Sequence, residues 1–364
     1  MQSSASGLIV LDIVLYLFAI YLSSRGRKQN NVPLFFAYLA VLFFCLFAAW
    51  GGDYYHYIDY FDLIKGGYQV SLEPVYYSLI YYLKTPFQFR IIVWGGALLV
   101  FYLSSRRVDV DKSFPLFCLA LCFLPRFSYA RVSLAMSIMT FGCVIIGKKD
   151  RFCLKSSAMG VLFVVLSLYF HKSAFWGVLM ISLAVFFYDK VSLKSIILLS
   201  ILAPIIIYIA TIVLSRVMTL DIGADDTILY AGQQYLSGTY VAGTRGWGQI
   251  IEETLMRLSF YFVAILFIII VKRKYYYKMP RQIKILSCTS FFTIILASVF
   301  AFDLGFSTHV IYNRFLYYAQ LPSAFFIAYC LQNKIATKWL RVVLYTGSFA
   351  ALYALVYSLY CSFF

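Results

Sequence analysis

A handful of ionisable side chains break very apolar surroundings in this chain: Asp53, Glu73, Arg131, His171 and Arg314. His171 is one of three histidines, with His56 and His309, in 364 residues. Arg131 lies in FSYARVSLAMSIMTFG and Arg314 in HVIYNRFLYYAQLP, each one or two turns into an otherwise apolar helix. One such arginine would serve as a headgroup anchor, but two on the same side suit a two-pronged grip on a phosphate or pyrophosphate. His171, in LYFHKSAFW, can donate to a phosphate oxygen or act as a general base near neutral pH. Asp53 and Glu73 are carboxylates able to accept hydrogen bonds from sugar hydroxyls or to take a proton from one. The run DYYHYIDYFD at residues 53 to 62 adds tyrosines, Tyr54 and Tyr57 among them, that form either an interfacial belt or a platform for sugar rings.

These groups must be positioned by membrane helices. Hydrophobic residues make up 63% of the chain and charged ones 13%, and apolar runs of about 20 residues recur, each enough to cross a ~30 Å hydrocarbon core. The runs are continuously apolar rather than alternating, which argues for helices over a closed barrel. The fold class expected is an all-α polytopic membrane protein of about twelve transmembrane helices, from Gly7–Ser24 to Val342–Cys361, with Phe114–Leu124 the shortest. Residues 1–364 read as one integral-membrane domain, with larger outer loops at 51–85 and 215–257. Within the first loop, LEPVYYSLIYYL reads as a short interfacial helix with Pro74 in its first turn. The first apolar run has neither a basic leader nor a small-residue cleavage site, so it reads as a retained span.

Sidedness comes from the basic residues. Most of the 31 Lys and Arg fall in alternate connections such as Arg25–Lys28, Arg106–Lys112 and Lys272–Lys284, so those connections are expected in the cytoplasm and both termini outside. The net charge of +16 is then a topology signal and implies no nucleic-acid partner. Asp53, Glu73, Arg131, His171 and Arg314 all fall on the outer side. The eight cysteines lie in or beside apolar runs without CxxC spacing, as membrane-buried small hydrophobes would.

Taken in order, Asp53-Tyr54 with Tyr57, Glu73-Pro74, Arg131 with Ala135, Phe170-His171 with Ser173-Ala174, and Asn313-Arg314-Phe315 resemble the EpsG-like family of Wzy-type polysaccharide polymerases. The resemblance covers most of the chain. It implies a GT-C-like membrane glycosyltransferase architecture in the bacterial inner membrane, joining undecaprenyl-pyrophosphate-linked oligosaccharide repeat units on the periplasmic face into an O-antigen, capsule or exopolysaccharide. Partners implied are that lipid-linked saccharide, the bilayer, and a chain-length regulator and flippase of the same pathway. Arg131 followed by Gly142 matches a further Wzy spacing, which recurs at no other arginine of the outer side.

On this reading Arg131, Arg314 and His171 bind the pyrophosphate, Tyr54, Tyr57, Tyr312 and Asn313 meet sugar, and Asp53, Glu73 or His171 is the base for an inverting transfer. Arginines that neutralise the departing pyrophosphate make a metal and any other cofactor unnecessary. The histidines form no i,i+4 pair, and the DVD at residues 109 to 111 sits in a basic turn that its acids would solvate. A ligase acting on the same lipid-linked glycan, a glycan flippase and a membrane acyltransferase remain the alternatives.

Overall fold

The computed structural model describes residues 2–25, 31–47, 53–68, 70, 72–148, 154–171, 173–202, 205, 247–299 and 308–363. Backbone alone is described for 2–7, 53–57, 130, 154–156, 299, 308–314 and 362–363. The described chain is helical: α1 Gln2–Arg25, α2 Asn31–Phe47, α3 Asp53–Lys65, α4 Pro74–Tyr82, α5 Pro86–Ser105, α6 Ser113–Phe127, α7 Ala130–Ile146, α8 Leu154–Phe170 and α9 Ala174–Phe187. There follow α10 Leu193–Leu202, α11 Trp247–Lys272, α12 Arg281–Val299, α13 Thr308–Gln332 and α14 Thr337–Phe363. Four stretches among the described residues, Leu8–Arg25, Pro86–Ser105, Trp247–Lys272 and Thr337–Cys361, are long and apolar enough to cross a membrane by length and composition. Shorter apolar helices accompany them. This is a multi-pass membrane protein.

The packing is that of a bundle bathed in hydrocarbon. Val14, Leu17, Leu162, Phe186, Leu198 and Phe349 all stand exposed on its surface, a quantity of outward apolar side chain that a water-soluble monomer would not tolerate. At the centre is α7, which packs on α5, α6, α8, α9, α12 and α13. Its residues from Val132 to Val144 are all buried, so it must be apolar or small on every side, and Ser133, Ser137 and Thr140 meet that need as small polar residues. Beside it, Ser290 of α12 and Ser323 of α13 share a hydrogen bond of 2.6 Å between buried hydroxyls.

Close backbone approach fixes the α7–α8 pair. A Cβ on Gly142 would lie 2.5 Å from the Gly160 carbonyl oxygen, and one on Gly160 would lie 2.7 Å from the Gly142 carbonyl oxygen. The two helices cross where neither has a side chain. Gly142, which the sequence offers as half of an Arg–Gly spacing, therefore has a packing role of its own.

Several expectations change in detail. The short span Phe114–Leu124 becomes Ser113–Phe127, whose rise is roughly 22 Å. Leu116, Cys118, Leu119 and Ala120 on it are fully buried, so neighbours rather than lipid cover much of it. The segment 51–85, expected as an outer loop, is largely helical among its described residues, with α3 preceding the expected Pro74 helix, α4. Pro74 starts α4 and Pro86 starts α5, where Thr85 and Gln88 form a reciprocal capping box. The outer loop read as 215–257 is shorter at its end, because α11 begins at Trp247 and takes in Glu252, Glu253 and Arg257. Residues 215–246 lie outside the described residues. Asp111 accepts from both the amide and the hydroxyl of Ser113, solvating its turn as the sequence leads one to expect.

Candidate functional site

Helix ends gather the ionisable residues. Glu73 is the residue before Pro74 and holds extended backbone angles, φ −60° and ψ 140°, the conformation a following proline favours. Its carboxyl is thereby set at the start of α4. Arg131 is in the first turn of α7, and His171 directly follows α8, its amide bonded to the Ser167 carbonyl at 3.1 Å.

The three side chains meet. Glu73 Oε2 accepts from Arg131 Nη1 at 3.1 Å, and Glu73 Oε1 lies 2.7 Å from His171 Nδ1. Glu73 is almost sealed, its side chain 6% exposed, while that of Arg131 is 25% exposed and that of His171 12%. Burial works against ionisation of Glu73. The hydrogen bond from His171 and the charge of Arg131 outweigh it and hold the carboxyl down at about 2, well below its ordinary 4.5. Glu73 is thus an anion that anchors two donors. With Nδ1–H committed to Glu73, the imidazole leaves Nε2 as its other functional nitrogen.

A surrounding shell holds this trio. The buried Tyr76, one turn on from Glu73, donates its hydroxyl to the Arg131 carbonyl at 3.0 Å and packs edge-on against Phe89 and Phe170. Ser173 shares a hydrogen bond of 2.9 Å with Tyr318 of α13, and Trp176 packs against Phe315 at 4.8 Å between centroids. Glu73 thus stands just before α4, Arg131 in the first turn of α7, and His171 between α8 and α9.

Family comparison gives the context for this geometry. The model of the EpsG family matches residues 8–363, nearly the whole chain. This chain belongs to the EpsG family. Comparison with curated proteins and with solved structures gives no match. Within this EpsG family chain the structure brings together Glu73, Arg131 and His171 from positions far apart in sequence. Asp53, Tyr54 and Tyr57 are on the first two turns of α3, and Tyr312, Asn313 and Arg314 on the first turns of α13; their side chains lie outside the described residues.

Sequence reasoning missed some neighbours. Tyr76 lies three positions after Glu73 and shares its helical face, a readable spacing once Glu73 is chosen. A second charged group, Arg126 with Glu252 and Glu253, was hidden because residues 247–257 looked like loop. The i,i+4 pair Glu253 and Arg257, bonded at 3.4 Å, is the signal that would have revealed helix there.

Proposed function

We propose that this protein is a glycosyltransferase of the Wzy polymerase type, joining undecaprenyl-pyrophosphate-linked oligosaccharides at the periplasmic face of the bacterial inner membrane. The observation that carries the reading is the Glu73–Arg131–His171 cluster at one end of an all-helical membrane bundle in an EpsG family member. Counting α1, α2 and α5 to α14 as crossings gives about twelve spans, in keeping with a GT-C-like architecture. The basic connections then face the cytoplasm and the cluster faces out.

The chemistry follows from the residues. A hydroxyl of the accepting sugar attacks the anomeric carbon of the donor, the bond from that carbon to the pyrophosphate oxygen breaks, and a glycosidic bond forms with inversion. The hydroxyl proton passes to Nε2 of His171, whose ring Glu73 orients through Nδ1. Glu73 itself, held ionised far below neutral pH, is a weak base and acts as the positioning group; Asp53 is the other candidate for proton transfer. Arg131 and Arg314 stabilise the departing pyrophosphate, so no divalent metal is required. Tyr54, Tyr57, Tyr312 and Asn313 are assigned to sugar contact. A chain-length regulator and a flippase are the partners such a step needs.

The test is the lipid-linked saccharide profile of a strain lacking the gene. Accumulation of single repeat units is the expected result. Finished polymer left on its lipid carrier would show a ligase instead.

A further inference from the structure

A second charged cluster lies next to the first. Arg126, in the last turn of α6, donates through Nη2 to Glu252 Oε1 at 2.6 Å, with both side chains about 85% buried, at 13% and 15% exposure. Glu253 is bonded to Arg257 and is itself buried. The rings of Tyr129 and Tyr317 pair at 5.3 Å, tilted by 33°, and their phenols share the electrostatic surroundings of Arg126 with Glu252 and Glu253. Tyr129 precedes Arg131 by two positions, and Tyr317 adjoins Tyr318, the partner of Ser173. The two clusters therefore share the start of α7 and the early turns of α13.

The two clusters differ in their donors and acceptors. In the first, Glu73 and Arg131 cancel and an imidazole nitrogen stands beside them. Arg126, Arg257, Glu252 and Glu253 cancel, and four charges in an apolar bundle are costly to keep for packing alone. A neutral set of carboxylates, guanidinium groups and paired phenol rings matches a neutral polyol: the carboxylates accept hydroxyl hydrogens, the arginines donate to hydroxyl oxygens, and the rings face the apolar side of a pyranose.

We propose that the Arg126–Glu252–Glu253–Arg257 cluster, with Tyr129 and Tyr317, is the subsite that binds the sugars of the accepting saccharide, an assignment that rests on the glycosyl-transfer reading of the Glu73 cluster. A reaction between two saccharides requires two places, one for the pyrophosphate-bearing donor and one for the neutral end of the acceptor. The start of α7 and the early turns of α13 carry residues of both clusters, so the two places are set on the same helix ends.

The experiment uses purified full-length protein in detergent or nanodiscs. The donor has its non-reducing terminal hydroxyl capped, so that it can only donate. The acceptor is the same saccharide on a simple alkyl aglycone, so that it can only accept. Glu252→Gln, Tyr317→Phe and the charge-exchanged pair Arg126→Glu with Glu252→Arg are compared with wild type for both KM values, for direct binding of the alkyl acceptor, and for thermal unfolding. The acceptor KM and its binding constant should weaken by about tenfold or more while the donor KM stays put, the worth of one lost charge-assisted hydrogen bond. If the exchanged pair recovers wild-type acceptor KM, the cluster is a tie between α6 and α11 and the inference fails. Should that pair not insert, Glu252→Gln decides, and an unchanged acceptor KM there overturns the assignment equally. Wild-type protein that joins no saccharides would refute the transfer reading first, before any variant is compared.

Discussion

Replacing Glu73 by Gln probes the centre of the site. The carboxylate now satisfies two donors, Arg131 Nη1 on one oxygen and His171 Nδ1 on the other. A glutamine of the same size has one acceptor oxygen and an NH2 group, so it can serve one partner and must turn a donor toward the other. Losing a hydrogen bond between charged groups costs about 1.5–3 kcal/mol. The lowering of the Glu73 carboxyl from 4.5 to about 2 corresponds to roughly 3 kcal/mol of favourable interaction in the ionised form. Arg131 keeps a quarter of its side chain in contact with solvent, so its share of that figure is the smaller one. About 3 kcal/mol withheld from the geometry that aims His171 amounts to roughly a hundredfold in turnover. The assay is polymerisation of a lipid-linked repeat by purified protein, with thermal unfolding measured in parallel and Glu73→Asp as the variant that keeps the charge. Turnover within about threefold of wild type in a well-folded Glu73→Gln protein would refute the orienting role.

Other outcomes follow from the same geometry. Arg131→Lys and Arg314→Lys should each cut turnover strongly while leaving insertion normal, because lysine keeps the charge and loses the two-pronged fork; full activity in both reduces these arginines to anchors. Since the folded-state value for Glu73 is depressed, its contribution is complete above pH 4.5 and drains away as pH falls toward 2, by about 3 kcal/mol; unfolding measured across that window should steepen in wild type and flatten in Glu73→Gln. Gly142→Ala should lower thermal stability by about 1–3 kcal/mol, because its Cβ would press on the Gly160 carbonyl, whereas Gly95→Ala meets nothing within 4 Å and should be neutral or slightly stabilising.

Legibility in the sequence divided along physical lines. Apolar run length was enough to locate helices, because in lipid each segment must satisfy its own backbone. The proline at 74 marked the start of α4 for the same local reason. What composition could not convey was a helix built from polar and aromatic residues. DYYHYIDYFD and the turns around Glu252 are helical through their surroundings, so both looked like loop. For the site, type and sidedness singled out Glu73, Arg131 and His171, but the pairing that makes Glu73 an anchor rather than a free base is a property of three-dimensional contact. The second cluster stayed unseen because its partners, Arg126 and Glu252, belong to helices distant in the chain whose pairing no local pattern announces.

The glycine crossing of α7 and α8 acts at a distance. Arg131 lies roughly 16 Å along α7 from Gly142, and His171 lies about as far along α8 from Gly160. The crossing is thus a pivot with two arms of similar reach, one tipped by a guanidinium and the other by an imidazole, while Glu73 bridges the tips from a separate helix. Any thickening at the pivot opens the arms, and a misplacement of about 1 Å at reacting groups can cost two orders of magnitude in rate. On the proposed transfer reading, positions deep in the bundle and far from Glu73 will therefore lower activity in a screen that reads activity alone.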